Sequence, residues 1–478
     1  MGKAERTGEA GGRTYEPTWS SLALHPVARW FRDAKFGIYA HWGPYSVPAY
    51  GSNGTWYPHR MYRRGTEENR HHLKNYGPVS SFGYKDFIPL FKAERFDPDE
   101  WAELFLSSGA RFAGPVAEHH DGFSMWASRV NPRNASRMGP QRDVVGELEK
   151  AVRKRRMRFL TTFHHAHNWW FFPTWDPETD CSNPEYAGLY TRPHSEEERP
   201  DEAFLALWKA KLAEVINGYR PDMLFFDFGL GQIRGRSRRE APAFCLNKAA
   251  EWGGEAVVAF KEMPAAWKNL PPGVGVADLE VGKMNELTHH LWMTDTSIDC
   301  GDRGTWSHVK NVGYKSPERL IHNLVDRVSK NGCTLLNVGP RADGTIPERA
   351  REILLAVGRW LAINGEAIYD TTPWVTPGEG PTRAEGGGHF NEAAETRFTA
   401  QDIRFTTKGG ALYAVCLGVP GDEISVRTLK CLYPDEVRSV SMLGVEGGLR
   451  YRLDEQGLTV ETPRKLPGEH AFSLKISG

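Results

Sequence analysis

Pro221-Asp222-Met223-Leu224-Phe225-Phe226-Asp227 is the stretch on which the fold turns. Four consecutive apolar residues running into an aspartate suit a strand covered on both faces, as strands of a parallel sheet are. Just upstream, Leu205, Trp208, Leu212, Val215, Ile216 and Tyr219 recur at helical spacing, so a helix hands over to this strand. Seven more runs of the same kind follow the pattern: Phe36–Gly43, Arg111–Ala117, Met157–Phe163, Ala256–Lys261, Gly275–Leu279, Leu291–Thr296 and Cys333–Gly339. Eight strands alternating with helices predict a (β/α)8 barrel.

Helix starts and stops support that reading. Asp97-Pro98-Asp99-Glu100 supplies an N-cap, a proline at the first helical position and a glutamate at N3, opening a helix expected to reach Ala110. Ser316-Pro317 caps the stripe Ile321, Leu324, Val325 and Val328, and Pro347 to Asn364 forms a last helix that stops at Gly365. Beyond Trp374 the texture changes to Gly/Pro-rich loops and short alternating segments, such as Asp402–Thr407, Leu412–Leu417, Glu423–Leu429, Val437–Leu443 and Ala471–Ile476. The expected organisation is a flexible lead over 1–24, a barrel over 25–373 and an antiparallel β-sandwich over 374–478.

Composition narrows the function classes. The 478 residues carry 60 Lys+Arg against 60 Asp+Glu, and this balance disfavours nucleic acid or an acidic membrane as partner. A chain with 40% hydrophobic residues and no net charge is not disordered in bulk. No apolar run approaches the ~18 residues of a membrane span, and Met1 to Ser21 holds no signal-type apolar segment, so a cytoplasmic location is expected. The six scattered cysteines form no CxxC pair and predict neither a disulfide framework nor a cysteine zinc site. The 16 Trp and 17 His stand out, because polar-edged aromatics line pockets for sugars and planar ligands.

Barrel enzymes work at the C-terminal ends of their strands. Here those ends deliver His41-Trp42, Glu118-His119-His120-Asp121, His164-His165-Ala166-His167, Asp227, Lys261-Glu262, Glu280, Asp295 and Asn337. Two chemistries could use this set. Glycoside cleavage needs one carboxylate as nucleophile or base and a second carboxylic acid to protonate the leaving oxygen, and Asp227 and Glu280 could face each other across the pocket. Metal-assisted hydrolysis could draw on His119, His120, His164, His165 and His167, but neighbouring residues of a strand point to opposite sides and no HExxH occurs. Sugar chemistry without a metal or cofactor is therefore the expectation. No GxGxxG after a strand, GxxxxGK[ST] or GxSxG is present.

The run Ala34-Lys35-Phe36-Gly37-Ile38-Tyr39-Ala40-His41-Trp42-Gly43-Pro44-Tyr45-Ser46-Val47-Pro48 resembles the first barrel strand of the α-L-fucosidases of glycoside hydrolase family 29. Glu118 to Phe123 with Trp126, Tyr219 to Asp227, Leu335 to Pro340 with Asp343-Gly344, and Asn364 to Tyr369 extend the resemblance over about residues 28 to 375. It implies that Asp227 is the nucleophile of a retaining double displacement, that Glu280 is the acid/base with Glu262 as fallback, and that the substrate is a terminal α-L-fucosyl residue of an oligosaccharide or glycoconjugate. His41, Trp42, His119 and His120 look like the fucose-binding set. Trp56, His164, His165, Lys261 and Trp306 complete the expected substrate-binding residues.

This chain departs from the family pattern at several of these places. Thr55 precedes Trp56-Tyr57 where many members have Glu, His164-His165 replaces Tyr-Ser, Lys261 stands where Arg is common, and Trp306-Ser307-His308 replaces Trp-Gly-Tyr. The added imidazole and ammonium groups raise a sulfated, anionic or differently linked fucoside as an alternative substrate, an α-L-galactoside is a further alternative because it differs from L-fucose only at C6, and the absent Glu raises a non-catalytic fucose-binding protein.

Overall fold

The computed structural model describes residues 14–233, 235–262, 270–271, 273–300, 304–382, 386–392, 396–431 and 433–478. Eight strands, β1 (Phe36–Ala40), β2 (Phe112–Glu118), β3 (Arg158–Phe163), β4 (Met223–Phe226), β5 (Val257–Lys261), β6 (Val276–Asp278), β7 (Trp292–Ser297) and β8 (Gly332–Val338), close a barrel in sequence order. Every pairing is parallel, and β8 returns to β1 through Phe36↔Thr334 to Ala40↔Val338. The sequence-predicted strands and observed strands coincide to within a few residues at each end.

The period-two alternation of a strand then sorts the side chains. On β4, Met223 and Phe225 point into the barrel, where they join Tyr39, Phe112, Leu160, Val257, Ala259, Val276, Met293 and Leu335 in one core. Leu224 and Phe226 point out to the helical layer. Asp227 therefore falls on the inner face, two residues beyond Phe225. The same parity sends His41, His164, Lys261, Asp278, Asp295 and Asn337 inward. It sends Trp42 and His165 outward.

The helical layer follows its caps. Asp97 accepts from the backbone N–H groups of Asp99 and Glu100 to open Pro98–Ser107, which ends three residues before the expected Ala110. Asp201 caps Glu202–Tyr219 and Ser316 caps Pro317–Ser329 through the N–H of Phe204 and of Arg319. The last barrel helix is Glu348–Asn364, with Pro347 at its N-cap position. Of the lead expected to be flexible, residues 1–13 lie outside the described residues, and the remainder is anchored. Tyr15 exchanges two backbone hydrogen bonds with the Asn247 side chain, at 2.7 and 2.9 Å, and Leu22 of the short helix Trp19–Leu22 is buried.

The C-terminal part is two antiparallel sheets over one core. Strands β9 (Thr372–Glu379), β10 (Ile403–Lys408), β11 (Ala411–Cys416), β13 (Ser439–Met442) and β16 (Phe472–Ser477) form a sheet in the order β13-β16-β11-β10-β9. The strands β12 (Glu423–Val426), β15 (Gly457–Glu461) and β14 (Tyr451–Asp454) form the second. Phe405, Ala414 and Leu474 from one sheet meet Ile424, Val426, Leu458 and Val460 from the other. This sandwich is pinned to the barrel by Arg404, whose Nε lies 2.6 Å from Asp326 Oδ1, and by Trp360 Nε1, which donates to Ala471 O at 2.8 Å.

Candidate active site

Asp227 is the centre of the site. It is buried, with 5% of its surface exposed, yet three cationic or imidazole groups reach its carboxylate. Lys261 Nζ stands 2.7 Å from Oδ1, while His164 Nδ1 and His120 Nε2 stand 3.1 and 3.3 Å from Oδ2. Burial opposes ionisation here, but Lys261 and the two histidines outweigh it and hold the Asp227 carboxyl well below the ordinary range.

Lys261 also reaches Glu280 Oε2 at 3.1 Å and Asp295 Oδ2 at 3.5 Å, and its ammonium lies 5.5 Å from the centre of the Trp306 ring. One ammonium thus links Asp227 and Glu280, and the two oxygens it touches lie within about 6 Å of each other. Glu280 shifts the other way. Burial dominates, assisted by Asp295 and Asp227, and pushes its pKa up to about 7 although Lys261 opposes this. Around a single cation the structure has therefore set one carboxyl group held in its ionised form and one whose pKa is raised into the neutral range. Asp278, on the inner face of β6, is pushed well above its ordinary pKa by burial and by Asp295, whose backbone N–H donates to it at 2.6 Å. Tyr39 donates to Asp295 Oδ2 at 2.9 Å.

The histidines form one wall. His41 Nδ1 lies 2.8 Å from Asn337 Oδ1, an oxygen that only accepts, so Nδ1 carries the proton and Nε2 keeps its lone pair for the pocket. Asn337 is itself fixed by donating to Ser297 Oγ at 3.0 Å and Trp306 O at 2.6 Å. The rings of His41, His119 and His164 are mutually 5.0–5.5 Å apart, and burial lowers the pKa of all three, so they are neutral. Trp56, Phe228, Phe171 and His167 form a second, aromatic wall over His120, with Trp56 and Phe228 parallel at 6.0 Å. Two triads, His41–His119–His164 and His120–His164–Asp227, bring possible metal-ligand atoms within 4.8 Å of one another.

Two expected substrate-binding residues lie elsewhere. Trp42 is on the outward face of β1, where its ring packs at 4.9–5.0 Å against Phe91, Phe96 and Trp101 and its Nε1 donates to Arg341 O. His165 turns to the helical layer, stacked on Phe204 at 5.2 Å and paired with Glu118, which also holds Lys211 at 2.7 Å. Both follow from strand parity, since His41 and His164 take the inward positions. Parity does not separate His119 from His120, because β2 is irregular between Val116 and Glu118 and ends before them; their rings are only 4.4 Å apart at the pocket. Thr55, where the resemblance leads one to expect a glutamate, is buried and donates to Asn53 Oδ1. Glu262 follows β5, half-buried, its backbone N–H donating to Asp278 O.

Sequence reasoning gave no role to Tyr39, Asp278, Phe228 or His389. It noted Asp295 and Asn337 as strand-end polar groups without giving them a role. Parity along β1 and β6 could have found Tyr39 and Asp278. Phe228 directly follows Asp227, whereas His389 comes from beyond the barrel and carries no local signal.

A family model described as Alpha-L-fucosidase matches residues 4–366, and one described as Alpha-L-fucosidase C-terminal domain matches 396–477. The chain belongs to the α-L-fucosidase family. Its members are glycoside hydrolases, and this chain is one of these enzymes. The tissue α-L-fucosidases of Rattus norvegicus and Homo sapiens are 32% and 31% identical to it, over 98% of this chain and 94% and 92% of theirs. The α-fucosidase of Thermotoga maritima solved in complex with fucose is 29% identical, with a TM-score of 0.76 over 97% of this chain and all of that one. The same bacterial enzyme with a mechanism-based inhibitor superposes with a TM-score of 0.78. The barrel followed by antiparallel sheets is thus the family's architecture.

Proposed function

We propose that this chain is a retaining, exo-acting α-L-fucosidase in which Asp227 is the nucleophile and Glu280 the acid/base. The observation that carries the proposal is the opposite displacement of these two carboxyl groups about Lys261. Asp227 attacks the anomeric carbon as the bond to the aglycone oxygen breaks, and Glu280 gives that oxygen its proton. Glu280, now a carboxylate, takes a proton from water, whose oxygen attacks the same carbon and releases Asp227. The Asp227 and Glu280 oxygens that share the ammonium lie within about 6 Å of each other, which accords with the roughly 5–5.5 Å carboxyl separation of a retaining pair better than with the roughly 6.5–9.5 Å that leaves room for an intervening water. His41, His119, His120 and His164 face ring hydroxyls, with Trp306 and Trp56 as apolar faces for the sugar. Enclosure of Asp227 among buried side chains favours a terminal residue over an internal one.

A neutral fucoside fits the pocket better than a sulfated one. Lys261 is opposed by Asp227, Glu280 and Asp295, and His41, His119 and His164 are held neutral, so these groups offer an anionic substituent no uncompensated positive charge. Possession of both carboxyl groups argues for catalysis over binding alone.

The test is hydrolysis of an aryl α-L-fucoside followed by NMR, with an aryl α-L-galactoside and a sulfated fucoside alongside. α-L-Fucose as the first-formed anomer, and a loss of about 10³-fold or more in kcat in Asp227→Ala, are expected. First-formed β-L-fucose, or unchanged turnover in Asp227→Ala, would overturn the reading. Azide restoring turnover to Glu280→Ala but not to Glu262→Ala would separate the two acid/base candidates.

A further inference from the structure

The backbone that presents Glu280 is held by chain from outside the barrel. Residues 388–392 lie between the two family-model matches, which end at 366 and resume at 396. They run antiparallel to the turn that follows β6. Gly388 N donates to Lys283 O at 2.8 Å, Phe390 N to Glu280 O at 2.9 Å and Glu392 N to Val281 O at 2.9 Å. The segment is anchored through the buried Glu392 carboxylate, which takes Lys315 and Arg327 at 2.7 Å each and Asn323 Nδ2 at 3.2 Å. Between these bonds Val281 adopts φ 44°, a left-handed conformation that a β-branched residue holds only where its surroundings enforce it.

The remaining contact bears on the chemistry. The backbone N–H of Glu280 donates to His389 Nδ1 at 2.9 Å. An amide N–H only donates, so Nδ1 is unprotonated and the ring is neutral, with its proton on Nε2. Burial, reinforced by Lys261, also lowers the pKa of His389, in keeping with that tautomer.

We propose that His389 is a positioning residue of the reaction: by accepting from the Glu280 backbone at the end of an anchored strand-like clasp, it fixes the carboxyl of Glu280 where the leaving oxygen needs its proton. The inference rests on Glu280 being the acid/base.

Proton donation matters only when the leaving group is poor, which gives a readout that general loosening of the fold does not imitate. We would measure kcat/KM for a dinitrophenyl and a methyl α-L-fucoside with the full chain and with His389→Leu, His389→Asn and Glu280→Ala. His389→Leu is expected to lose at least tenfold on the methyl substrate and no more than about twofold on the dinitrophenyl one. His389→Asn, whose Oδ1 takes the place of Nδ1, is expected to recover most of that loss. Equal losses on both substrates, no loss, or an Asn variant as poor as the Leu variant would overturn the proposal. If Glu280→Ala shows the selective loss and His389→Leu does not, only the positioning role falls. If Glu280→Ala itself loses both substrates equally, the acid/base assignment fails and the positioning role falls with it.

Discussion

Replacing Lys261 by Met removes the one cation shared by Asp227, Glu280 and Asp295 while keeping most of the side-chain volume. At 2.7 and 3.1 Å, and with an effective dielectric constant of about 20, its gross attraction to either of the first two is on the order of 5–6 kcal/mol. One pKa unit corresponds to about 1.4 kcal/mol. The ammonium is divided among three carboxyl groups and water can enter in its place, so we expect a fraction of that gross figure, at least about one unit for each partner. Lys261 lowers both pKa values in the native enzyme, so both rise in the variant. In kcat/KM against pH, the alkaline limb, set by loss of the Glu280 proton near pH 7, moves to about 8 or higher. The acid limb, set by ionisation of Asp227, moves up with it. Taking the cation from these buried carboxyl groups also costs about 3–5 kcal/mol of stability, readable as a lower urea midpoint. An alkaline limb that stays near pH 7 or moves down would refute the electrostatic account of the pair.

Trp42→Phe and His165→Gln are expected to lower Tm while leaving KM for an aryl α-L-fucoside within about twofold, since both side chains lie in the helical layer; Trp306→Phe is expected to raise KM severalfold with little change in Tm. A KM effect confined to the first pair would reverse their placement. Glu392→Gln is expected to destabilise the chain by about 3–5 kcal/mol, because it leaves Lys315 and Arg327 buried without their anion. Burial opposes ionisation of Glu392, yet those two cations outweigh it and hold its carboxyl far below the ordinary range. Its contribution is therefore present above the unfolded pKa of about 4.3 and lost as pH falls below it. The stability lost by Glu392→Gln in urea titrations should shrink as pH is lowered from 6 to 3, and a constant difference would count against this origin.

Where the sequence carried a local signal, the fold could be read from it. Apolar runs bounded by helical stripes marked all eight barrel strands, and Asp97, Asp201 and Ser316 cap their helices by side-chain bonds that any helix N-terminus invites. The sandwich was legible as a class but not strand by strand. β9 contains Pro373, Pro377 and Gly378, and the β14–β15 hairpin reads as a polar, Gly-broken stretch; both are strands because a neighbour pairs with them. In the site, Asp227 and Glu280 stood out as carboxylates at strand ends, and the structure brings both to Lys261. The resemblance places Trp42 beside His41 in the fucose-binding set and His165 beside His164 among the substrate-binding residues, although alternation along the strand separates the members of each pair. His389 and Glu392 could not be found locally, since their partners lie 65 to 109 residues away in sequence.

The central claim is that Asp227 becomes covalently bonded to the sugar while Glu280 handles the proton. Incubation with a 2-deoxy-2-fluoro-α-L-fucosyl fluoride, which slows release more than attack, followed by peptide mass mapping, tests it directly. An added mass of one fluorofucosyl group on the peptide carrying Asp227 is predicted. An adduct on Glu280 or Asp295, or unimpaired turnover with no adduct, would contradict the account.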